Sequence, residues 1–110
     1  MWVLRALAAD ANHPVSFRLM PGAVKTIGRV GAADFCVDAP LVSRVHCRVE
    51  AGAEGEVEIV DLDSTNGTWI DGARITRAVL RPGSVLRVGR VEFALEEAVQ
   101  TNADDPSRRG

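Results

Sequence analysis

Three short segments hold the residues best suited to chemistry: Gly28-Arg29, Ser43-Arg44-Val45-His46 and Ser64-Thr65-Asn66-Gly67-Thr68. Between them they carry two guanidinium groups, several hydroxyls, a carboxamide and a glycine that lets backbone N–H groups approach a ligand closely. Such an inventory is rich in donors for an oxyanion. A planar guanidinium suits one best, because two parallel N–H groups can meet two phosphate oxygens.

Other chemistries fit this pattern less well. His46 lies three residues after Ser43, with Asp61 and Asp63 further on, so a serine hydrolase is one alternative. A nucleophile, however, needs a base within hydrogen-bond reach, an orienting carboxylate and an oxyanion hole, and nothing in the spacing supplies that assembly. Gly28-Arg29-Val30-Gly31 lacks the third glycine and the following helix of a nucleotide loop. The only histidines are His13 and His46, the only cysteines are Cys36 and Cys47, and no CxxC pairs the thiols; no metal and no cofactor are expected. Both cysteines fall in apolar runs and read as buried free thiols in a reducing, cytoplasmic setting. His13, beside Pro14, reads as surface.

The elements that must position these segments are strands. Val15, Phe17 and Leu19 alternate with Ser16 and Arg18, and Cys47 and Val49 with Arg48 and Glu50. Val57, Ile59 and Asp61 oppose Glu58, Val60 and Leu62, while Val91, Phe93 and Leu95 alternate with Glu92, Ala94 and Glu96. Period two over short runs marks strands with one buried face. Turn residues break the runs at Pro21-Gly22, Gly31, Pro40, Gly52 to Gly55, Asn66-Gly67, Asp71-Gly72 and Pro82-Gly83, and no helical stripe is sustained. An all-β sandwich or barrel follows. Asp71-Gly72 predicts a two-residue hairpin, and Phe17, Trp69 and Phe93 are expected in the core. The folded domain is expected over 1–97, with 98–110 a polar tail or linker.

With 110 residues, 46% of them hydrophobic, the chain suits one domain with one core. No apolar run approaches the roughly 20 residues of a membrane span, and Met1 to Leu7 lack the basic start of a secretory signal. Thirteen basic against fifteen acidic residues give a net charge of -2, which argues against a broad nucleic-acid face but allows a small basic pocket. Lys25 is the only lysine, an arginine bias that suits phosphate contacts and that a GC-rich genome would also produce.

Sequence alone does not bring the three segments side by side. Their order, Gly-Arg, then Ser-Arg-x-His, then Ser-Thr-Asn-Gly-Thr, resembles the forkhead-associated (FHA) family over roughly Trp2 to Glu96, and Val60 to Gly72 is similar to the family pattern almost throughout. The resemblance implies a two-sheet β-sandwich of about eleven strands with binding loops at one end. It also implies a phosphothreonine-dependent recognition module and no enzyme, FHA domains being among the established arginine-based readers of phosphorylated motifs.

By position, the resemblance implies that Arg29 binds the phosphate, that Ser43 and Arg44 add donors, and that Thr65 lies near it. Asn66 would bond the peptide main chain, while Gly28, His46 and Gly67 would support the site, His46 by holding Ser43 in place. The implied partner is a phosphothreonine-containing protein or peptide, with no nucleic acid or membrane, and a monomer is expected. The alternative is a degenerate FHA-like domain making phosphate-independent protein contacts.

Overall fold

Each alternating run becomes a strand because one of its faces is apolar and can be buried against a second layer. The computed structural model describes residues 1–7, 16–29, 31, 33–53 and 55–98. In chain order the strands are β1 (Trp2–Ala6), β2 (Ser16–Leu19), β3 (Val24–Gly28), β4 (Phe35–Cys36), β5 (Cys47–Ala51) and β6 (Val57–Asp61). They continue with β7 (Thr68–Ile70), β8 (Ala73–Ile75), β9 (Arg77–Leu80), β10 (Val85–Val88) and β11 (Val91–Glu97). One sheet has the order β2-β1-β11-β10-β7-β8 and the other β4-β3-β5-β6-β9. Among the described residues only the β3–β4 pair is parallel. The two-sheet sandwich implied by the resemblance is therefore the observed fold.

Between the sheets lie Leu4, Leu19, Ile27, Val49, Ile59, Leu86, Phe93 and Leu95, all buried. Phe17 stacks on Phe35 with ring centroids 4.3 Å apart and reaches Phe93 at 6.0 Å, which ties β2 to both layers. The Asp71-Gly72 hairpin forms as expected: φ is 49° at Asp71 and 84° at Gly72, the two positive values that a type I′ turn requires.

Two expectations fail, both through strand parity. Trp69 is half-buried on the outer face of its sheet, because Thr68 and Ile70 take the inward positions of β7. Cys36 is exposed, because Phe35 takes the inward position of the two-residue β4; Cys47 is buried and free as expected. His13 lies outside the described residues, as does the segment read as a tail except for Ala98.

Strand register puts the three chemistry-bearing segments at one end of the sandwich. Ile27 at the end of β3 pairs with Cys47 at the start of β5, which pairs with Asp61 at the end of β6. The loops leaving β3, entering β5 and leaving β6 must therefore emerge together.

Candidate functional site

His46 organises this end from inside. Its backbone N–H donates to Ile27 O at 2.8 Å and its carbonyl accepts from Leu62 N at 3.0 Å, so β3 and the chain leaving β6 fix its position. The side chain is fully buried. Ser43 N–H donates to Nδ1 at 3.0 Å, and Nε2 lies 2.8 Å from Gly67 O. An Nδ1 that accepts leaves the proton on Nε2, which then donates to Gly67 O. The imidazole thus joins the second segment to the third and addresses the backbone of residue 43, not its hydroxyl.

Further bonds lock the segments together. Arg29 N–H donates to Ser43 O at 3.0 Å, and Thr65 N–H donates to Ser43 Oγ at 3.1 Å. Ser43 Oγ keeps its own proton to donate outward. Asn66 Nδ2 donates to Leu41 O at 3.1 Å, leaving its Oδ1 as an acceptor. Arg29 is exposed, but its Nε donates to Val42 O at 3.0 Å, which aims the two terminal nitrogens away from that carbonyl. Arg44 and Thr65 are exposed beside it.

Two glycines are required by this packing. A Cβ on Gly28 would lie 2.0 Å from Arg44 O, so only glycine lets the second segment cross β3 this closely. Gly67 has φ +90°, and a Cβ there would meet Arg74 Nε at 2.8 Å and Trp69 Nε1 at 2.9 Å.

The surface that results is a groove of two adjoining clefts that share Arg29, Ser43 and Thr65. One, of about 570 Å³, is walled by Asp38 to Val42 and Asn66; the other, of about 580 Å³, by Arg44, Val45 and Asp63. The shared residues present a guanidinium and hydroxyls from three different loops toward one region. Exposed Leu41 and Val45 flank Ser43, one in each cleft.

Behind the groove is a carboxylate that the sequence does not assign to the site. Asp61 accepts from Ser64 Oγ, from Thr68 Oγ1 at 2.7 Å and from Ser64 N–H at 3.3 Å, and Ser64 Oγ in turn accepts from Gly67 N–H at 3.1 Å. Burial pushes the Asp61 carboxyl up, but these three bonds outweigh it and hold the group below the ordinary carboxylate range. Nearby Cys47 is pushed up to about 12, by burial first and then by the Asp61 charge. Leu41 has a positive φ of 72°, and its carbonyl packs where a Cβ on Gly89 would come within 2.9 Å, so the β10–β11 turn seats the loop before Ser43.

The family model of the FHA domain matches residues 25–89, which span all three segments. The chain belongs to the FHA domain family. This FHA domain is 33% identical over 87 residues to an ABC transporter ATP-binding/permease protein of Mycobacterium tuberculosis, covering 79% of the chain and 10% of that relative. It superposes on the FHA domain of a Chlamydia trachomatis protein with TM-score 0.82 at 29% identity, covering 89% of this chain and 98% of the other. A further FHA domain, from a structural and functional analysis of phosphothreonine-dependent FHA domain interactions, gives TM-score 0.77 at 28% identity over 89% and 97% of the two chains. The chain spans between 10% and 56% of the length of the first curated relatives it matches.

Proposed function

We propose that this FHA domain binds phosphothreonine-containing peptides and recruits kinase-phosphorylated partners, acting as a binder and not as an enzyme. The observation that carries this reading is the direct hydrogen bonding among the three segments, which turns Arg29, Ser43, Thr65 and Asn66 into one donor-rich groove. Arg29 takes two phosphate oxygens, Ser43 Oγ, Arg44 and the Thr65 hydroxyl take others, and Asn66 Oδ1 accepts from the peptide main chain. His46, Gly28 and Gly67 hold the loops that carry these groups. A hydrolase is disfavoured because both ring nitrogens of His46 are engaged with backbone, which leaves no base for Ser43 Oγ. Its similarity to an FHA domain studied for phosphothreonine-dependent interactions supports the same reading. Free Cys36 and Cys47 support a reducing, cytoplasmic setting.

Titration with matched peptides tests this. The phosphothreonine peptide should bind, and the unphosphorylated one should not bind measurably. Phosphoserine shares every phosphate contact and lacks only the γ-methyl, whose burial beside Val45 and the 64–67 loop is worth about 0.8 kcal/mol by transfer and up to about 3 kcal/mol in a shaped slot. A preference of roughly fivefold or more for phosphothreonine is expected. Equal binding with and without phosphate would favour the degenerate, phosphate-independent alternative.

A further inference from the structure

The side chain of Arg74, on β8, lies against the loop that carries Asn66. Its Nε and Cζ come within 2.8 and 3.1 Å of the point where a Gly67 Cβ would stand, so the guanidinium rests on the Cα of Gly67. Directly opposite Arg74 in the β7–β8 ladder is Trp69, whose Nε1–H donates to Asn66 O at 3.3 Å. On the other side of Trp69, in β10, stands Arg87, with its guanidinium 4.8 Å from the indole centroid. The indole is therefore held by one arginine and by the Asn66 carbonyl, and it gives Arg74 a firm neighbour.

Its exposure and its lack of a partner make Arg74 more than packing. It is exposed, and among the described residues it forms no ion pair or side-chain hydrogen bond, whereas Arg5, Arg48 and Arg77 each have a glutamate partner. Other surfaces carry less. The cleft between Val24 and Val79 is rimmed by Glu50 and Glu58, each already paired with an arginine.

We propose that Arg74 is a specificity-determining residue that reads a second anion in the same ligand, a carboxylate or a further phosphate in the stretch of peptide that passes over Asn66. This inference rests on the phosphopeptide reading above. A peptide bonded through its main chain to Asn66 passes beside Gly67, against which Arg74 packs, and an anionic side chain there meets an exposed guanidinium. Arg74 contributes charge selectivity; the phosphate at Arg29 supplies the main attraction.

The experiment is calorimetric titration of the intact chain and of R74Q. The ligands are phosphothreonine peptides carrying Asp, Ala or phosphoserine at each of the neighbouring positions in turn. For the wild type, Asp should be preferred over Ala at one position by roughly two- to fivefold, as suits a solvent-exposed pair, with phosphoserine preferred more strongly. In R74Q the Asp and Ala peptides should bind alike, at the affinity the wild type shows for the Ala peptide, and phosphothreonine should still be required. An Asp preference that persists in R74Q, or none at any position in the wild type, overturns the assignment of Arg74 while leaving the phosphate reading standing. Wild-type binding that ignores the phosphate on threonine overturns both.

Discussion

Arg29 lines the groove and His46 is buried behind it, and the two should fail in opposite ways. Arg29 is exposed and directs its terminal nitrogens outward, so Arg29→Ala removes a ligand contact while the fold loses at most one rim hydrogen bond. Losing one partner of a desolvated charge pair costs about 2–5 kcal/mol, so phosphopeptide affinity should fall roughly 30-fold or more with stability changed by under about 1 kcal/mol. His46 is buried with two backbone partners. His46→Ala strands Ser43 N–H and Gly67 O and opens a cavity, and should cost about 2–4 kcal/mol of stability, with binding lost as a consequence. Paired denaturation and calorimetry on the two variants check this, and a fully stable His46→Ala protein that has lost only binding would place the ring on the ligand instead. Residue types made these candidates legible in the sequence: a Gly-Arg, a Ser-x-x-His and an Asn-Gly each carry a distinct chemistry. Arg74 was not legible, because its contact with Gly67 depends on which way the outer face of β7 and β8 points.

Strands were readable wherever period two ran for several residues, as in β5, β6 and β11. It misled at β4 and β7, where two or three residues are too few to fix which parity faces inward. The Asn66-Gly67 turn was also readable, but not its setting. It lies in the crossover from β6 in one sheet to β7 in the other, and the Asp61–Ser64–Thr68 bonds span that crossover. Packing of one element across another makes the sharpest prediction at this scale. Gly28→Ala places a methyl 2.0 Å from Arg44 O, so β3 and the loop before β5 must separate. A cost of about 1–3 kcal/mol is expected from such overpacking. Because the same shift moves Arg29 away from Ser43, phosphopeptide binding should weaken even at temperatures where the variant stays folded, as thermal melts combined with titration would reveal.

For the molecule as a whole, pH acts on stability through Asp61. Its folded carboxyl titrates below the ordinary range, so its contribution is fully present above the unfolded value of about 3.9 and is lost as pH falls through the lower, folded value. Asp61→Asn should be less stable than wild type near pH 7 by about 1 kcal/mol, since a neutral amide accepts hydrogen bonds more weakly than a carboxylate. The gap should close in acid, where the wild type alone loses this contribution; denaturation midpoints measured from pH 7 to pH 3 would test it, and a constant gap would count against the role given to Asp61. The first and last described residues introduce a different consequence. Trp2 pairs with Glu97 and Ala98 N–H donates to Met1 O at 2.9 Å, so both leave the sandwich at one place. β11 runs seven residues to that place from the turn that seats Leu41, a rise of about 20 Å. A dye or an immobilising tag attached at Met1 or Ala98 therefore hangs from the pole opposite the groove, and the sandwich can be tethered at either residue without shading the groove.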